Sequence, residues 1–250
     1  MTTPSLKVMT YNIHKGFSAG NKRFVLRQIR EGLRMADVDI VFLQEIQGQH
    51  SRRAAKIIDW PTESQFEYMA DQIWKHYAYG KNAIYNAGHH GNAILSKFPF
   101  IHWENLNVSN IRWASRSLLH GIIDINKTCH KLHVICVHLD FIPGQRNRQI
   151  KILNERIRES VPKSDYLILA GDFNDWNEQV SRYLASDLEL HEVFQSMQGH
   201  HARTYPSWRP FLPVDRIYFR GMKPVECACL VHHPWYSLSD HAPLYAKFEI

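Results

Sequence analysis

The stretch Tyr166-Leu-Ile-Leu-Ala-Gly-Asp-Phe-Asn174 passes from an apolar run to a glycine, an acid and an amide without a linker. Five residues rich in Leu and Ile, closed by Gly, fit a buried strand. The polar residues that follow then fall at the rim of a sheet, where side chains from several strands can share a cleft. The same order recurs along the chain. Leu6–Tyr11 leads into Asn12, Asp39–Leu43 into Gln44-Glu45, and Leu132–Val137 into His138. Asn92–Ser96 is another such run, Asp215 opens Arg-Ile-Tyr-Phe, and Asp240-His241 precedes Leu244–Ile250.

Helical patterns lie between these runs. Val25, Ile29, Leu33 and Ala36 keep helical spacing in 22–36, with Asn21 as N-cap. Phe66, Met69, Ala70, Ile73, Trp74 and Tyr77 mark an apolar stripe in 63–77. Ile150, Leu153, Ile157 and Val161 do so in 145–161, with Arg146, Arg148, Lys151, Arg156 and Arg158 expected on a solvated outer face. A shorter helix is expected after Asn177. Strands mixed with helices and hairpin-like pairs predict a layered α/β sandwich. Single, scattered Pro and Gly and the absence of repeats predict one domain over residues 1–250.

Composition narrows the partners. Of 250 residues, 44% are hydrophobic and 22% charged, as in ordinary soluble proteins. The balance of 30 Lys+Arg against 24 Asp+Glu, net +6, suits nucleic acid or an anionic lipid surface, though it also serves plain solubility. The four cysteines (Cys129, Cys136, Cys227, Cys229) form no C-x-x-C pair, which argues against a structural zinc site. With no signal-like segment and no apolar run of membrane length, a soluble cytoplasmic protein without an obligate protein partner is the expectation.

Asn12, Glu45, His138, Asp172, Asn174, Asp215, Asp240 and His241 all sit where apolar runs stop or start. Hard oxygen ligands with few sulfurs suit Mg²⁺ or Mn²⁺, with Glu45 and Asp240 as ligands and Asn12 close by. No Gly-x-Ser-x-Gly elbow and no Cys-x5-Arg loop is present, so the nucleophile expected at a phosphoester is water. Asp172 is placed to align and deprotonate it. His241 is a candidate donor or base, oriented by Asp215, with His138 and Asn174 as further donors to phosphoryl oxygens.

Taken in order, T-Y-N-I-H at 10–14, L-Q-E at 43–45, G-N-A-I-L-S at 91–96, V-H-L-D at 137–140 and G-D-F-N at 171–174 form a recognisable series. It continues through T-Y-P at 204–206, V-D-R-I-Y at 214–218 and S-D-H-A-P at 239–243. The chain thereby resembles the endonuclease/exonuclease/phosphatase superfamily, relatives of deoxyribonuclease I and the abasic-site endonucleases. It looks closest to a bacterial branch with affinities to sphingomyelinase-like and inositol-phosphatase-like sequences. The resemblance implies a four-layered α/β/β/α sandwich of two mixed β-sheets flanked by helices, and Mg²⁺-dependent phosphoester hydrolysis. It implies Asn12, Glu45 and Asp240 around the metal, Asp172 and Asn174 at the water and phosphate, His241 paired with Asp215, and His138 as a second catalytic imidazole. The acid that partners the equivalent of His138 in some nucleases has no counterpart among residues 78–90.

Arg116 and His90 are weaker candidates for substrate contact, and His89 for reaching the cleft. Trp208, Phe211 and Trp235 are candidates for stacking a base, for meeting lipid, or for plain packing. Three functions follow: a nuclease acting on DNA or RNA, a phosphoesterase for lipid or small phosphoesters, and an inactive binding module on the same scaffold.

Overall fold

The computed structural model of the protein describes residues 4–109, 116–125 and 130–250; Cys129 lies outside them. In its first half the chain runs β1 (Ser5–Asn12), α1 (Leu26–Ala36), β2 (Ile40–His50), α2 (Ser51–Ala54), α3 (Gln65–Ala70), β3 (His76–Tyr85), β4 (Gly88–Ser96) and β5 (Phe100–Asn107). There follow β6 (Ser117–Ile123), β7 (Leu132–His138), α4 (Pro143–Ser160), β8 (Tyr166–Asp172), α5 (Gln179–Leu188), β9 (His191–Glu192) and α6 (Val193–Gln198). The last strands are β10 (Asp215–Arg220), β11 (Lys223–Cys229) and β12 (Leu244–Glu249).

The strands form two mixed six-stranded sheets, ordered β11-β12-β1-β2-β4-β3 and β5-β6-β7-β8-β10-β9. Alternation along each strand sends one set of side chains inward and the other outward. Leu6, Val8, Ile40, Phe42 and Ile94 of the first sheet meet Leu119, Val134, Cys136, Ile168 and Ile217 of the second in a buried layer between them. On the far side of the first sheet, Met9, Val41, Leu43 and Leu95 pack with Ile29 and Leu33 of α1. On the far side of the second, Ile135, Val137, Leu167 and Leu169 pack with Leu153 and Ile157 of α4 and Leu184 of α5. These are the four layers α/β/β/α.

Register carries the polar residues to one rim. β1 and β2 pair in parallel with Asn12 opposite Gln44, and β7 and β8 pair in parallel with His138 opposite Asp172. Parallel strands point the same way, so β1, β7 and β8 deliver their last residues, and β2 its Gln44-Glu45 stretch, to the same edge, the usual place for a ligand crevice in α/β sheets. β10 runs antiparallel to β8 with Asp215 opposite Asp172, which puts the start of β10 at that rim. β12 runs antiparallel to β1 with Leu244 opposite Thr10, so Asp240 and His241 arrive there just before the strand begins.

Some expectations change. Glu45 is not at a strand end: β2 continues to His50, and the residue sits at a bulge between Leu43 and Ile46, with φ 57°. An extra residue there re-aims the side chain without ending the strand. α1 starts at Leu26, its N-cap position is Val25, and Asn21 caps nothing. The 63–77 stripe yields a helix only over Gln65–Ala70, opened by a Ser64/Glu67 capping box, because the chain turns at Asp71 and enters β3 by His76. Arg146 is fully buried, not on an outer face. No helix among the described residues is long and apolar enough to cross a membrane.

Beneath α4 lies a buried polar chain. His133 Nε2 donates to Asp165 Oδ2 (3.3 Å), which leaves its Nδ1 to accept from His120 Nε2 (3.0 Å). Both rings can make these two bonds while neutral. Burial, with His133 and His102 adding to it, pulls the His120 pKa down to about 4. The unfolded chain therefore binds a proton that the folded one refuses, and stability falls as pH drops from 6.5 towards 4. Between pH 7.5 and 5 this group should cost about 2 kcal/mol. Urea unfolding at both values checks it: His120→Phe should lose less stability on acidification than the parent by about that amount, and equal losses would refute it.

Candidate active site

Three side chains from distant stretches, and one backbone amide, meet around one carboxylate. Asp172, buried at the end of β8, accepts from Asn12 Nδ2 at Oδ2 (3.2 Å) and from the Asn174 amide at Oδ1 (3.0 Å). His138 Nε2 lies 3.5 Å and His241 Nε2 3.8 Å from the same Oδ2. On its other side the His241 ring donates from Nδ1 to Asp215 Oδ2 (2.9 Å). Asn174, at φ 51°, turns its Nδ2 to the Leu139 carbonyl (3.0 Å) and so ties the loop after β8 to the loop after β7. Gly171 makes the approach of those strands possible: at φ +146° a Cβ would meet the Val137 carbonyl oxygen at 2.0 Å.

The loop has a buried support. Asp175 Oδ2 accepts from the Val180 amide (2.9 Å), and its Oδ1 faces Arg146 Nε (3.8 Å). Arg146 also donates to the Phe141 carbonyl (3.1 Å), and Arg216 donates to the Asp175 carbonyl (3.1 Å). Two fully buried guanidiniums thus clamp the segments that carry His138 and Asp172.

The protonation states are pushed apart. Burial opposes charge on His241, yet the Asp215 carboxylate, aided by Asp172 and Asp240, outweighs it and lifts the pKa to about 10. His138 goes the other way: burial, with Arg116 nearby, holds it well below 6.5. Burial lifts Asp172 to about 7, with Asp215 adding to the rise and His241 opposing it. One imidazole is charged, one neutral, and the carboxyl between them is poised near neutrality.

A second cluster adjoins the first. His14 Nδ1 lies 3.4 Å from Asp240 Oδ2 and 3.9 Å from Glu45 Oε2. Lys15 donates its ammonium to Glu45 Oε2. Burial disfavours charge on Glu45, but His138, Lys15 and His14 hold its carboxyl below the usual range; with His138 neutral, Lys15 is the cation that does so. His14 and Lys15 have φ of 45° and 60°, a left-handed turn just after β1 from which the two side chains reach Asp240 and Glu45. Hard carboxylate oxygens of this kind fit a divalent cation. Asp172, Asp215 and His241 also have ligand atoms within 4.8 Å of one another, close enough to hold an ion.

Glu45, Arg116, His138, Asp172, Asn174, Asp240 and His241 line one cavity of about 330 Å³, with Phe141, Trp176 and Tyr205 on its walls. Arg116 thus reaches the cleft. His90 does not line it; its Nδ1 is buried without a partner, and Lys15, Glu45, Arg116 and Arg53 are charged groups that act on it. His89 bonds Tyr79 Oη (2.8 Å) and faces a separate depression of about 980 Å³ on the β3–β4 side, which holds none of the clustered acids. Trp235 is core, edge-on to Tyr11 (5.7 Å), whereas Trp208 and Phe211 are exposed. His14 and Lys15 are the residues that sequence reasoning missed. Their only signal was their place directly after the T-Y-N-I stretch.

The architecture and cluster match a known group. The model of the Endonuclease/Exonuclease/phosphatase family matches residues 9–241, and the chain belongs to that family. It is 41% identical over 246 residues to the uncharacterized protein YbhP of Escherichia coli strain K12, covering 98% of this chain and 97% of that one. Among solved structures, an endonuclease/exonuclease/phosphatase from Beutenbergia cavernae superposes with a TM-score of 0.76 at 18% identity, over 98% of this chain and 72% of the other. D. rerio TDP2 complexed with single strand DNA product does so with a TM-score of 0.72 at 19% identity, over 98% and 99%. At these identities the two structures speak for the fold.

The charged state of His241 depends on Asp215. In the metal-free protein, Asp215→Asn should keep a hydrogen bond to the ring but drop its pKa from about 10 to below 7. An NMR titration of the imidazole reads this directly, and an unmoved midpoint would show that the charge is held by other groups.

Proposed function

We propose that this protein is a Mg²⁺- or Mn²⁺-dependent phosphodiesterase that cleaves nucleic acid by attack of water. The observation that carries this reading is the one cavity shared by Glu45, His138, Asp172, Asn174, Asp240 and His241. Glu45 and Asp240, with Asn12 alongside, would hold the ion, which when bound neutralises charge at phosphorus and at the leaving oxygen. The Asp172–Asp215–His241 group is the poorer holder. A ligating imidazole must be unprotonated, and Asp215 keeps His241 charged.

Asp172 is the general base. Its carboxyl sits near neutral pH, and Asn12 and Asn174 fix the direction of both oxygens. His241, held protonated by Asp215, donates to a phosphoryl oxygen and stabilises the charge that builds there. His138 and Arg116 bind the other oxygens from the opposite wall. The choice of nucleic acid rests on the net charge of +6 and on Phe141 and Trp176, exposed aromatic faces on the cavity wall on which a base can stack. The TDP2 complex with single strand DNA product, built on the same fold, supports it. A binding module without catalysis would have no use for a base poised in this way.

The test is a panel of single-stranded, duplex and abasic DNA, RNA, phospholipid and small phosphoesters, with Mg²⁺ and with Mn²⁺. Nucleic acid should be cleaved, and Asp172→Asn should lower kcat about 10²- to 10⁴-fold with metal affinity within about threefold of the parent. Turnover confined to lipid or small phosphoesters would overturn the substrate, and full activity of Asp172→Asn would overturn the mechanism.

A further inference from the structure

We infer that His14 is a nitrogen ligand of the divalent-cation site, and that it makes the site select Mn²⁺ over Mg²⁺. The inference rests on the metal reading above and adds to it a residue and a preference. The His14 imidazole presents Nδ1 to Asp240 Oδ2 at 3.4 Å and to Glu45 Oε2 at 3.9 Å, yet hydrogen-bonds neither. Its Nε2 is buried without a partner. The side chain is 17% exposed, so it is the buried Nε2 whose unmet hydrogen-bonding capacity costs stability.

Spacing argues for a shared ion. Donors in adjacent positions around an octahedral cation, at about 2.1 Å from it, lie about 3 Å from one another. The two distances from His14 Nδ1 exceed that by less than an ångström, so a small closing movement brings the ring nitrogen into range of an ion held by either acid. The backbone is built for the purpose. His14, Lys15 and Gly16 all have positive φ, the His14 amide donates to Asn12 Oδ1 (3.1 Å), and Gln65 Nε2 donates to the Lys15 carbonyl (3.1 Å). Two non-glycine residues in a row in the left-handed region are costly, and such strain gathers where a side chain must be aimed.

A nitrogen among oxygens changes the preference. Mg²⁺ binds hard oxygen and gains little from imidazole, whereas Mn²⁺ and the later divalent ions gain more.

Calorimetric titration and pulsed EPR of Mn²⁺ on the full chain test this, with His14→Gln and His138→Gln alongside. Mn²⁺ should bind the parent at least tenfold more tightly than Mg²⁺, with a directly coordinated ¹⁴N in the EPR spectrum. His14→Gln should lose the ¹⁴N signal and weaken Mn²⁺ on the order of tenfold, with Mg²⁺ nearly unchanged; His138→Gln should keep the signal. Mn²⁺ bound to the parent without a ¹⁴N coupling, or a coupling that survives His14→Gln, overturns the role of His14 and leaves the metal reading standing. No Mn²⁺ binding by the parent overturns both.

Discussion

The hydrogen bond from Asn12 to Asp172 joins the two sheets at their shared rim. One partner ends β1 and the other ends β8, 160 residues later, and both are buried. A carboxylate withdrawn from water at this depth needs its lone pairs met, or it takes a proton or unfolds its surroundings. Asn12 and the Asn174 amide meet them, and because they come from different sheets, the carboxylate is fixed only when the sandwich is assembled. Gly171 lets the strands approach, and Arg146 and Arg216 hold Asp175 and the loop beyond it.

Around that bond the charges are divided rather than pooled. His241 and His138 approach the same Asp172 oxygen, but Asp215 sits behind one and Arg116 beside the other. The two imidazoles therefore differ in charge within a single cleft, which is how acid and base duties are separated at one pH. Glu45 and Asp240 form the acidic side, with His14 between them and Lys15 on Glu45. In the proposed mechanism, cation binding and proton transfer thus use adjoining but different groups.

Much of this was legible from the chain. Leu132–Val137 before His138 and Tyr166–Ala170 before Asp172 read as strands that stop at those two polar residues, and they do, because buried strands carry their signal in unbroken apolar runs. β5 left no such trace: as an edge strand with half of its residues exposed, F-I-H-W-E-N-L-N need not be apolar. Glu45 was read at a strand end, since a bulge has no periodicity to announce it. The helical position of Arg146 points to solvent, and its burial against Asp175, 29 residues on, has no local signal. The T-Y-N-I-H stretch alone assigns His14 no task, because its position depends on a backbone turn and on two acids brought from elsewhere in the chain.

The division between an ion-holding side and a proton-handling side is the central claim, and anomalous scattering from an Mn²⁺-soaked crystal addresses it most directly. The account predicts one strong peak within coordinating distance of Glu45 and Asp240, with the Asp215–His241 hydrogen bond intact. A peak held instead by Asp172, Asp215 and His241 would contradict it, because the groups assigned to the proton would then be the ligands.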